Sequence, residues 1–97
     1  MIVNRRTFLV KKGKLDELVT MLADSRKLAK NTYSMRIYHS MFGPFDSVAV
    51  ELEFKDMDEM ARSQEEMMVL PDPAAFMAKF DELTVPGGSN EIWVLAQ

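Results

Sequence analysis

Charged and aromatic side chains alternate in two neighbouring stretches of this sequence, and they are well suited to bind or activate a polar molecule. Arg36 and Tyr38 lie two residues apart in one stretch, and Glu51 and Glu53 lie two residues apart in the next. Two carboxylates held together in a closed cavity can have separated pKa values, which would suit a polar substrate. The same side chains could equally form salt bridges between two strands. Both interpretations stay open, and the structural one is the more common.

His39, the only histidine, is a further titratable side chain to consider. It could act as a general base or as a haem ligand. However, it alternates with Ile37 and Met41 in a stretch that has the character of a β-strand. A single histidine in such a stretch is more often a hydrogen-bonded core residue, so we predict that His39 lies in the core beneath the helices. From the sequence, the catalytic residues are therefore unknown.

The composition narrows the classes of function. The formal net charge is -3 and the basic residues are scattered, which argues against a nucleic-acid partner. The chain has no cysteine, which excludes disulfides, thiolate metal sites and cysteine nucleophiles. No cluster of metal ligands, P-loop or dinucleotide fingerprint is present, so we predict neither a metal nor a cofactor.

The distribution of apolar residues predicts where the protein is found. No run approaches the roughly 18 apolar residues of a membrane span. The first residues have the pattern of a strand rather than of a signal peptide. We therefore expect a cytoplasmic protein with no membrane partner.

Four stretches rich in β-branched and apolar residues are predicted to be strands. They are residues 1–10, 33–42, 47–55 and 91–96. Turn residues at positions 43–46, Gly-Pro-Phe-Asp, join the second and third stretches and predict a hairpin. A second cluster, Pro86-Gly87-Gly88, predicts a turn before the last strand.

Three further stretches have the period of a helix. Apolar residues spaced i, i+3, i+4 and i+7 from Leu15 onward predict an amphipathic helix that ends near residue 31. The second helix should begin at Asp56, which forms a capping box with Glu59. Its expected buried stripe consists of Met57, Met60, Ala61, Gln64, Met67 and Met68. A short third helix should begin at Asp72, with Pro73 at its first position.

The order of these elements predicts the fold class and the oligomeric state. A β-α-β-β-α-(α)-β order is that of an α+β, ferredoxin-like domain, with a four-stranded antiparallel sheet and helices on one face. We expect one domain over residues 1–97, with the other sheet face left open. A chain this short buries only about two thirds of its unfolded surface when it folds alone, so an uncovered face favours a homodimer.

The register of the hairpin assigns its side chains to the two sheet faces. If Phe42 pairs with Ser47, the alternation of strand residues separates a core face from the open face. The expected core pairs are Met41–Val48, His39–Val50, Ile37–Leu52 and Met35–Phe54. The expected open-face pairs are Ser40–Ala49, Tyr38–Glu51, Arg36–Glu53 and Ser34–Lys55.

The first and last strands complete the predicted open face. We assign Asn4 and Arg6 to it because the glutamates of the hairpin would give Arg6 a partner there, whereas the core face offers none. Trp93 is assigned to the same face, where it could hold an aromatic ligand or anchor a dimer interface. The predicted lining of any ligand pocket is thus Asn4, Arg6, Arg36, Tyr38, Glu51, Glu53 and Trp93.

Two local motifs carry a resemblance to a known family. The first is Lys12-Gly13-Lys14-Leu15, and the second is Phe42-Gly43-Pro44-Phe45-Asp46-Ser47-Val48, which leads into Glu53-Phe54 and the second helix. With these motifs and its element order, the chain resembles the dimeric α/β-barrel superfamily and, within it, NIPSNAP-type proteins. The resemblance implies that two sheets pack open face to open face around a barrel that can hold a small molecule.

More distantly, the chain resembles the antibiotic biosynthesis monooxygenases of the same superfamily, which also includes haem-degrading enzymes. The resemblance implies a cavity lined by a first-strand asparagine, a tryptophan and in some members a histidine. Asn4 resembles that asparagine, but Trp93 lies in the last strand and His39 on the predicted core face, so no catalytic set is carried over. Two hypotheses stay open. One is a cofactor-independent enzyme acting on a hydrophobic or aromatic molecule, and the other is a non-catalytic ligand-binding or protein-interaction dimer.

Overall fold

In the part of the chain that the structure describes, seven elements follow one another in the predicted order. A computed structural model describes residues 1–28, 34–43, 46–67 and 71–97. The elements are β1 (Ile2–Val10), α1 (Leu15–Leu28), β2 (Met35–His39), β3 (Ser47–Phe54), α2 (Met57–Met67), α3 (Pro73–Leu83) and β4 (Thr84–Val94). The strands form one antiparallel sheet in the order β2-β3-β1-β4. The α+β, ferredoxin-like fold class is therefore confirmed.

The core lies on one side of this sheet. The strands contribute buried residues that alternate along each strand, and the helices contribute the rest. The buried core consists of Ile2, Val10, Val48, Val50, Leu52, Phe54, Leu18, Leu22, Met60 and Leu83. Because all of the strand members point to the same face, the described helices pack on that face. We call it the helix face and the opposite side the open face.

The overall dimensions agree with two layers. The molecule measures 20 Å along its shortest axis. A helix is about 10–12 Å across and stacked sheets lie about 10 Å apart, so this thickness accommodates one sheet and one helix layer. No helix in the described part of the chain is long and apolar enough to cross a membrane.

The starts of α2 and α3 are fixed by aspartate caps, as predicted. The Asp56 carboxylate accepts a hydrogen bond from the Glu59 backbone N–H at 2.9 Å. The Asp72 carboxylate accepts one from the Ala75 backbone N–H at 3.0 Å, and Pro73 follows at the first helical position. Each cap satisfies a backbone donor that the first helical turn leaves without an intrahelical partner.

The buried side of α2 differs from the predicted stripe. Met60 and Ser63 are buried, whereas Met57, Ala61 and Gln64 are exposed. Ser63 can be buried because its hydroxyl donates to the Met60 carbonyl oxygen at 2.7 Å. Met68 and the side chain of Met67 lie outside the described residues, as does the predicted end of the first helix near residue 31.

The hairpin register is shifted by two residues from the prediction. The pairs are Met35–Leu52, Arg36–Glu51, Ile37–Val50, Tyr38–Ala49 and His39–Val48. Strand β2 ends at residue 39 instead of 42, and one further backbone hydrogen bond joins the two strands beyond it, from the Ser40 N–H to the Ser47 carbonyl oxygen. Met41 and Phe42, predicted to be paired, are almost fully exposed. The shift is even, so the residues keep their predicted faces.

His39 has the predicted face but not the predicted burial. It lies opposite Val48, on the same side as Ile37, yet it is exposed. Strand β2 is at the edge of the sheet, and His39 is its last residue. The prediction of a core histidine is therefore wrong.

Strand β4 begins seven residues earlier than predicted, at Thr84 rather than 91. The predicted turn at residues 86–88 is instead a β-bulge, where β4 has three residues opposite Phe8 of β1. Gly88 makes the bulge possible, since its φ of +100° favours glycine and a Cβ atom there would overlap the Thr7 carbonyl oxygen. Gly88 therefore allows β4 to lie close to β1, and it does not form a turn that reverses the chain.

Candidate functional site

A row of alternating charges crosses the open face. Arg36 of β2 lies opposite Glu51 of β3, Glu51 lies opposite Arg5 of β1, and Arg5 lies opposite Glu91 of β4. Across the sheet the order is therefore positive, negative, positive, negative. We call Arg36, Glu51, Arg5 and Glu91 the charged row.

Two ion pairs hold most of these charges in place. Both Nε and Nη2 of Arg5 donate to one oxygen of Glu51, at 2.9 and 2.7 Å. Arg36 donates to Glu53 at 2.6 Å, although its direct cross-strand neighbour is Glu51. The hydrogen bond with Glu53, and then the charge of that carboxylate, raise the pKa of Arg36 above its ordinary value. The predicted Arg36–Glu53 contact thus exists as a diagonal pair.

Glu91 is the end of the charged row that has no ion partner in the described part of the chain. Its nearest base in the row, Arg5, directs its guanidinium to Glu51. The backbone carbonyl of Glu91 accepts a hydrogen bond from Asn4, so the strand is fixed while the carboxylate is left available.

Apolar and aromatic side chains lie on both sides of the charged row. Tyr38 is 45% exposed, and Trp93 and Leu95 are 55% and 54% exposed. Trp93 lies opposite Val3, which lies opposite Glu53, so the tryptophan is on the open face as predicted. Tyr38 is also on this face. The two aromatic rings thus lie on different sides of the charged row.

Asn4 and Arg6 lie on the helix face, contrary to the prediction. Asn4 is 1% exposed and lies opposite Leu52, a core residue. Its amide donates to Asn90 Oδ1 at 2.6 Å and to the Glu91 carbonyl at 3.0 Å. Its Oδ1 accepts a hydrogen bond from Arg6 Nε at 3.1 Å. Arg6 therefore finds on the helix face the polar partner that we expected only on the other side.

The open-face residues that sequence reasoning missed are Arg5 and Glu91. The sequence signal for Arg5 was the alternation of the apolar residues Ile2, Phe8 and Val10, which share the even-numbered face of β1 and so place Arg5 on the opposite face. Val3 and Leu9 obscured it, because they place apolar side chains on the opposite face as well. Glu91 alternates with Trp93, so the prediction for the tryptophan would have placed it correctly.

The helix face has a separate groove of about 390 Å³ beside the bulge. Phe8 and Phe80 contact each other edge to face within its wall, with ring centroids 4.8 Å apart. The groove is open to solvent along one side. Within the described ranges, no group of three or more histidine, aspartate or glutamate side chains could hold a metal ion.

Several solved structures have this architecture. An uncharacterized NIPSNAP domain protein from Burkholderia xenovorans matches with a TM-score of 0.83 and 20% identity, over 99% of this chain and 95% of its own. A NIPSNAP family protein of unknown function from Agrobacterium tumefaciens matches with a TM-score of 0.77 and 20% identity, over 96% and 86%. The chain has the NIPSNAP fold. At this level of identity the likeness concerns the fold alone.

The NIPSNAP fold extends to more distant structures. An antibiotic biosynthesis monooxygenase matches with a TM-score of 0.73 and 8% identity, over 100% of both chains. The two predicted resemblances are thus confirmed as likenesses of fold. No protein-family model matches the sequence, and no curated protein matches it.

Proposed function

We propose that two copies of the chain pair through their open faces and enclose a cavity that binds a small hydrophobic or aromatic molecule. The observation that supports this is the exposure of Tyr38 and Trp93 on a face that no described helix covers. Exposed aromatic side chains that share one uncovered face of a sheet are typical of an interaction surface. A second sheet is a suitable cover, because two sheets pack face to face about 10 Å apart.

The ion pairs make enclosure of the open face feasible. Burying an isolated charge costs several kcal/mol, whereas a charge that is already paired and hydrogen-bonded costs much less. Arg5 is paired with Glu51, and Arg36 with Glu53, before any second copy arrives. The charged row would then divide the enclosed space into two parts, one beside Tyr38 and one beside Trp93.

The aromatic rings favour a flat apolar ligand. Pockets for small molecules are mainly apolar, with a few polar groups that fix orientation. Tyr38 and Trp93 offer ring faces for stacking, and the glutamates and arginines offer the polar contacts. Since both hairpin carboxylates already accept hydrogen bonds from arginines, the proposal is one of binding rather than of catalysis.

Native mass spectrometry of the freshly purified protein tests the proposal. We expect a species of twice 11.1 kDa that carries additional mass from a retained organic molecule. The mass of the released molecule would give its chemical class. A species of one chain would contradict the proposal. A dimer without added mass, and without uptake of an aromatic compound, would favour the alternative of a protein-interaction dimer.

Titration with the fluorescent aromatic probe 1-anilinonaphthalene-8-sulfonate provides the uptake test. We expect saturable binding with a fixed ratio of probe to dimer, and weaker binding after Tyr38→Ala or Trp93→Ala. The matched control is Met77→Ala, which removes an apolar side chain of similar exposure from the outer surface of α3. Equal loss of binding in all three variants would indicate adsorption to the surface instead of a cavity.

A further inference from the structure

Two loops at one end of the sheet carry a group of lysines and the most exposed large apolar side chains of the described residues. We infer that this end binds the surface of an anionic membrane, with Phe42 entering the lipid interface and the lysines contacting the headgroups. We call Met41 and Phe42 the hairpin tip, and residues 11–14, Lys-Lys-Gly-Lys, the basic turn. This end of the sheet is distinct from the open face, so membrane binding does not require that two copies pair.

Backbone pairing places the hairpin tip beside the basic turn. Leu9 of β1 lies opposite Ser47 of β3, and the Ser40 N–H donates to the Ser47 carbonyl oxygen at 2.9 Å. These three residues therefore lie side by side across neighbouring strands. Beyond this line the chain continues from Leu9 to the basic turn and from Ser40 to the hairpin tip. Since neighbouring strands are about 4.8 Å apart, the two loops leave the sheet about 10 Å from each other.

The hairpin tip exposes apolar surface that the described part of the chain does not cover. Phe42 is 90% exposed and Met41 is 86% exposed. Phenylalanine is among the residues that are most often fully buried, so this exposure is unusual. Single exposed apolar residues are common on proteins, but an exposed aromatic side chain beside lysines is the combination that binds membrane interfaces.

The basic turn is fixed by backbone hydrogen bonds. The Lys11 N–H donates to the Leu83 carbonyl oxygen, and the Lys14 N–H donates to the Lys11 carbonyl oxygen, both at 2.9 Å. Gly13 takes the third position of the turn, where its φ of +82° favours glycine. All three lysines are exposed, and Lys11 and Lys12 have no ion partner in the described part of the chain. Their charges are therefore available to an anionic surface.

The charge balance of the two loops differs from that of the whole chain. Residues 11–14 and 40–46 contain three lysines and one acidic residue, Asp46, whereas the net charge of the chain is -3. Asp16 and Glu17 follow in the first turn of α1, where Glu17 is paired with Lys79 at 2.8 Å and with Lys14 at 3.6 Å. These carboxylates oppose attraction to an anionic surface. The lysines alone are therefore insufficient, and the apolar tip must contribute to binding.

A membrane fits this end of the sheet better than a protein partner does. A stable protein interface buries about 800 Å² on each partner, of which two side chains at a loop supply only a small part. Membrane binding needs less, because a shallow apolar insertion is reinforced by lysines, each of which strengthens binding to an anionic leaflet about fivefold. Such contact requires no spanning segment, so we revise the expectation of no membrane partner.

Co-sedimentation of the native chain with vesicles tests membrane binding. We expect binding to phosphatidylcholine vesicles that contain about one third phosphatidylserine, and binding at least about tenfold weaker to phosphatidylcholine alone. Phe42→Ala should weaken binding about tenfold or more, and Lys12→Gln about fivefold. The matched controls Met57→Ala and Lys55→Gln change exposed residues that follow β3 at the opposite end of the sheet, and they should leave binding unchanged.

Insertion of the hairpin tip has a spectroscopic readout of its own. In the double variant Trp93→Phe, Phe42→Trp the only tryptophan lies at the tip. Its emission should shift to the blue and be quenched by brominated lipids when anionic vesicles are added. A loss of binding in Lys12→Gln with none in Phe42→Ala would show adsorption by charge alone and overturn the inference. Retention on polyglutamate but not on vesicles would assign the surface to an acidic polypeptide, and binding to neither would also overturn it.

Discussion

The two faces of the sheet differ in how far a single chain completes them. Beneath the helices Leu18, Val48 and Leu83 have almost no exposure, and even the polar Asn4 has all its partners within the chain. Ile92 and Val94, on the β4 edge of the same face, stay exposed. On the open face the charges are largely paired, while Tyr38 and Trp93 stay half exposed. The helix face therefore determines whether the chain folds. The open face determines what the folded chain binds.

The largest effect on folding is expected from Leu18→Ala. Leu18 is fully buried between α1 and the sheet, so the variant loses transfer free energy and leaves a cavity. We expect the free energy of unfolding to fall by about 2–5 kcal/mol in chemical denaturation. Met77→Ala, at an exposed position, should change it by less than about 0.5 kcal/mol. Similar losses for the two variants would mean that the helix face is not the core.

A smaller effect is expected from Gly88→Ala, which tests the bulge that precedes Glu91 and Trp93 in β4. Gly88 and Gly13 both have a positive φ, but an added Cβ atom meets the Thr7 carbonyl at Gly88 and nothing within 4 Å at Gly13. We therefore expect Gly88→Ala to destabilise the fold by about 1–3 kcal/mol more than Gly13→Ala does. Equal destabilisation would show that the bulge is not closely packed against β1.

Asn4→Ala should lower the stability of the fold without changing association through the open face. The variant leaves Asn90, the Glu91 carbonyl and Arg6 without the hydrogen bonds that Asn4 makes on the helix face. We expect the free energy of unfolding to fall by about 1–3 kcal/mol. Light scattering should show little change in the association of the folded chains. A weakened dimer with unchanged folding stability would place Asn4 in the interface instead.

Glu53→Ala should have the reverse effect, namely a weaker dimer rather than a less stable fold. It removes the partner of Arg36 from the open face, and in an enclosed interface that arginine would be left incompletely paired. We expect the dimer Kd to rise by more than about fivefold, which exceeds the effect of a solvent-exposed pair. A smaller change would show that this face is solvated and that the proposed cavity does not exist.

The smallest effect is expected from the pair Glu17–Lys79, which joins α1 to α3 on the outer surface at 2.8 Å. Its hydrogen bond lowers the pKa of Glu17 and raises that of Lys79. The stabilisation from Glu17 is therefore present above its unfolded pKa of roughly 4.3 and is lost as the pH falls through the lower folded value. The stabilisation from Lys79 is present below its unfolded pKa of roughly 10.4 and is lost as the pH rises through the higher folded value.

The Lys79→Ala variant tests whether the stabilisation from this ion pair is lost as the pH falls. Its urea midpoint should lie slightly below that of the native chain at pH 7, and the difference should shrink towards pH 3 as Glu17 is protonated. Dimer affinity should stay constant, in contrast to Glu53→Ala. A difference that grows at pH 3 would contradict the assignment.

Much of the fold could be predicted because its signals are local. The caps at Asp56 and Asp72 act within one helical turn, and the alternation along β3 fixes its faces even though the register is shifted by two residues. The end of β2 could not be predicted, since Met41 and Phe42 are as apolar as strand residues and yet remain exposed. The last backbone hydrogen bond between the two strands joins Ser40 to Ser47, and no local pattern in the sequence marks that position.

The candidate site was predicted only in part for a related reason. Arg36, Tyr38, Glu51, Glu53 and Trp93 lie on the open face because strand alternation places them there. Strand β1 carries basic residues on both faces, so its alternation alone is ambiguous. The hydrogen bond between Asn4 and Arg6, which allows an arginine on the helix face, is a contact that composition does not indicate.

Light scattering of the native chain at micromolar concentration tests the central claim most directly, namely that a second copy completes the open face. The account predicts the mass of two chains, each of 11.1 kDa. A mass of one chain would mean that Tyr38, Trp93 and the charged row remain in contact with water, which contradicts the account.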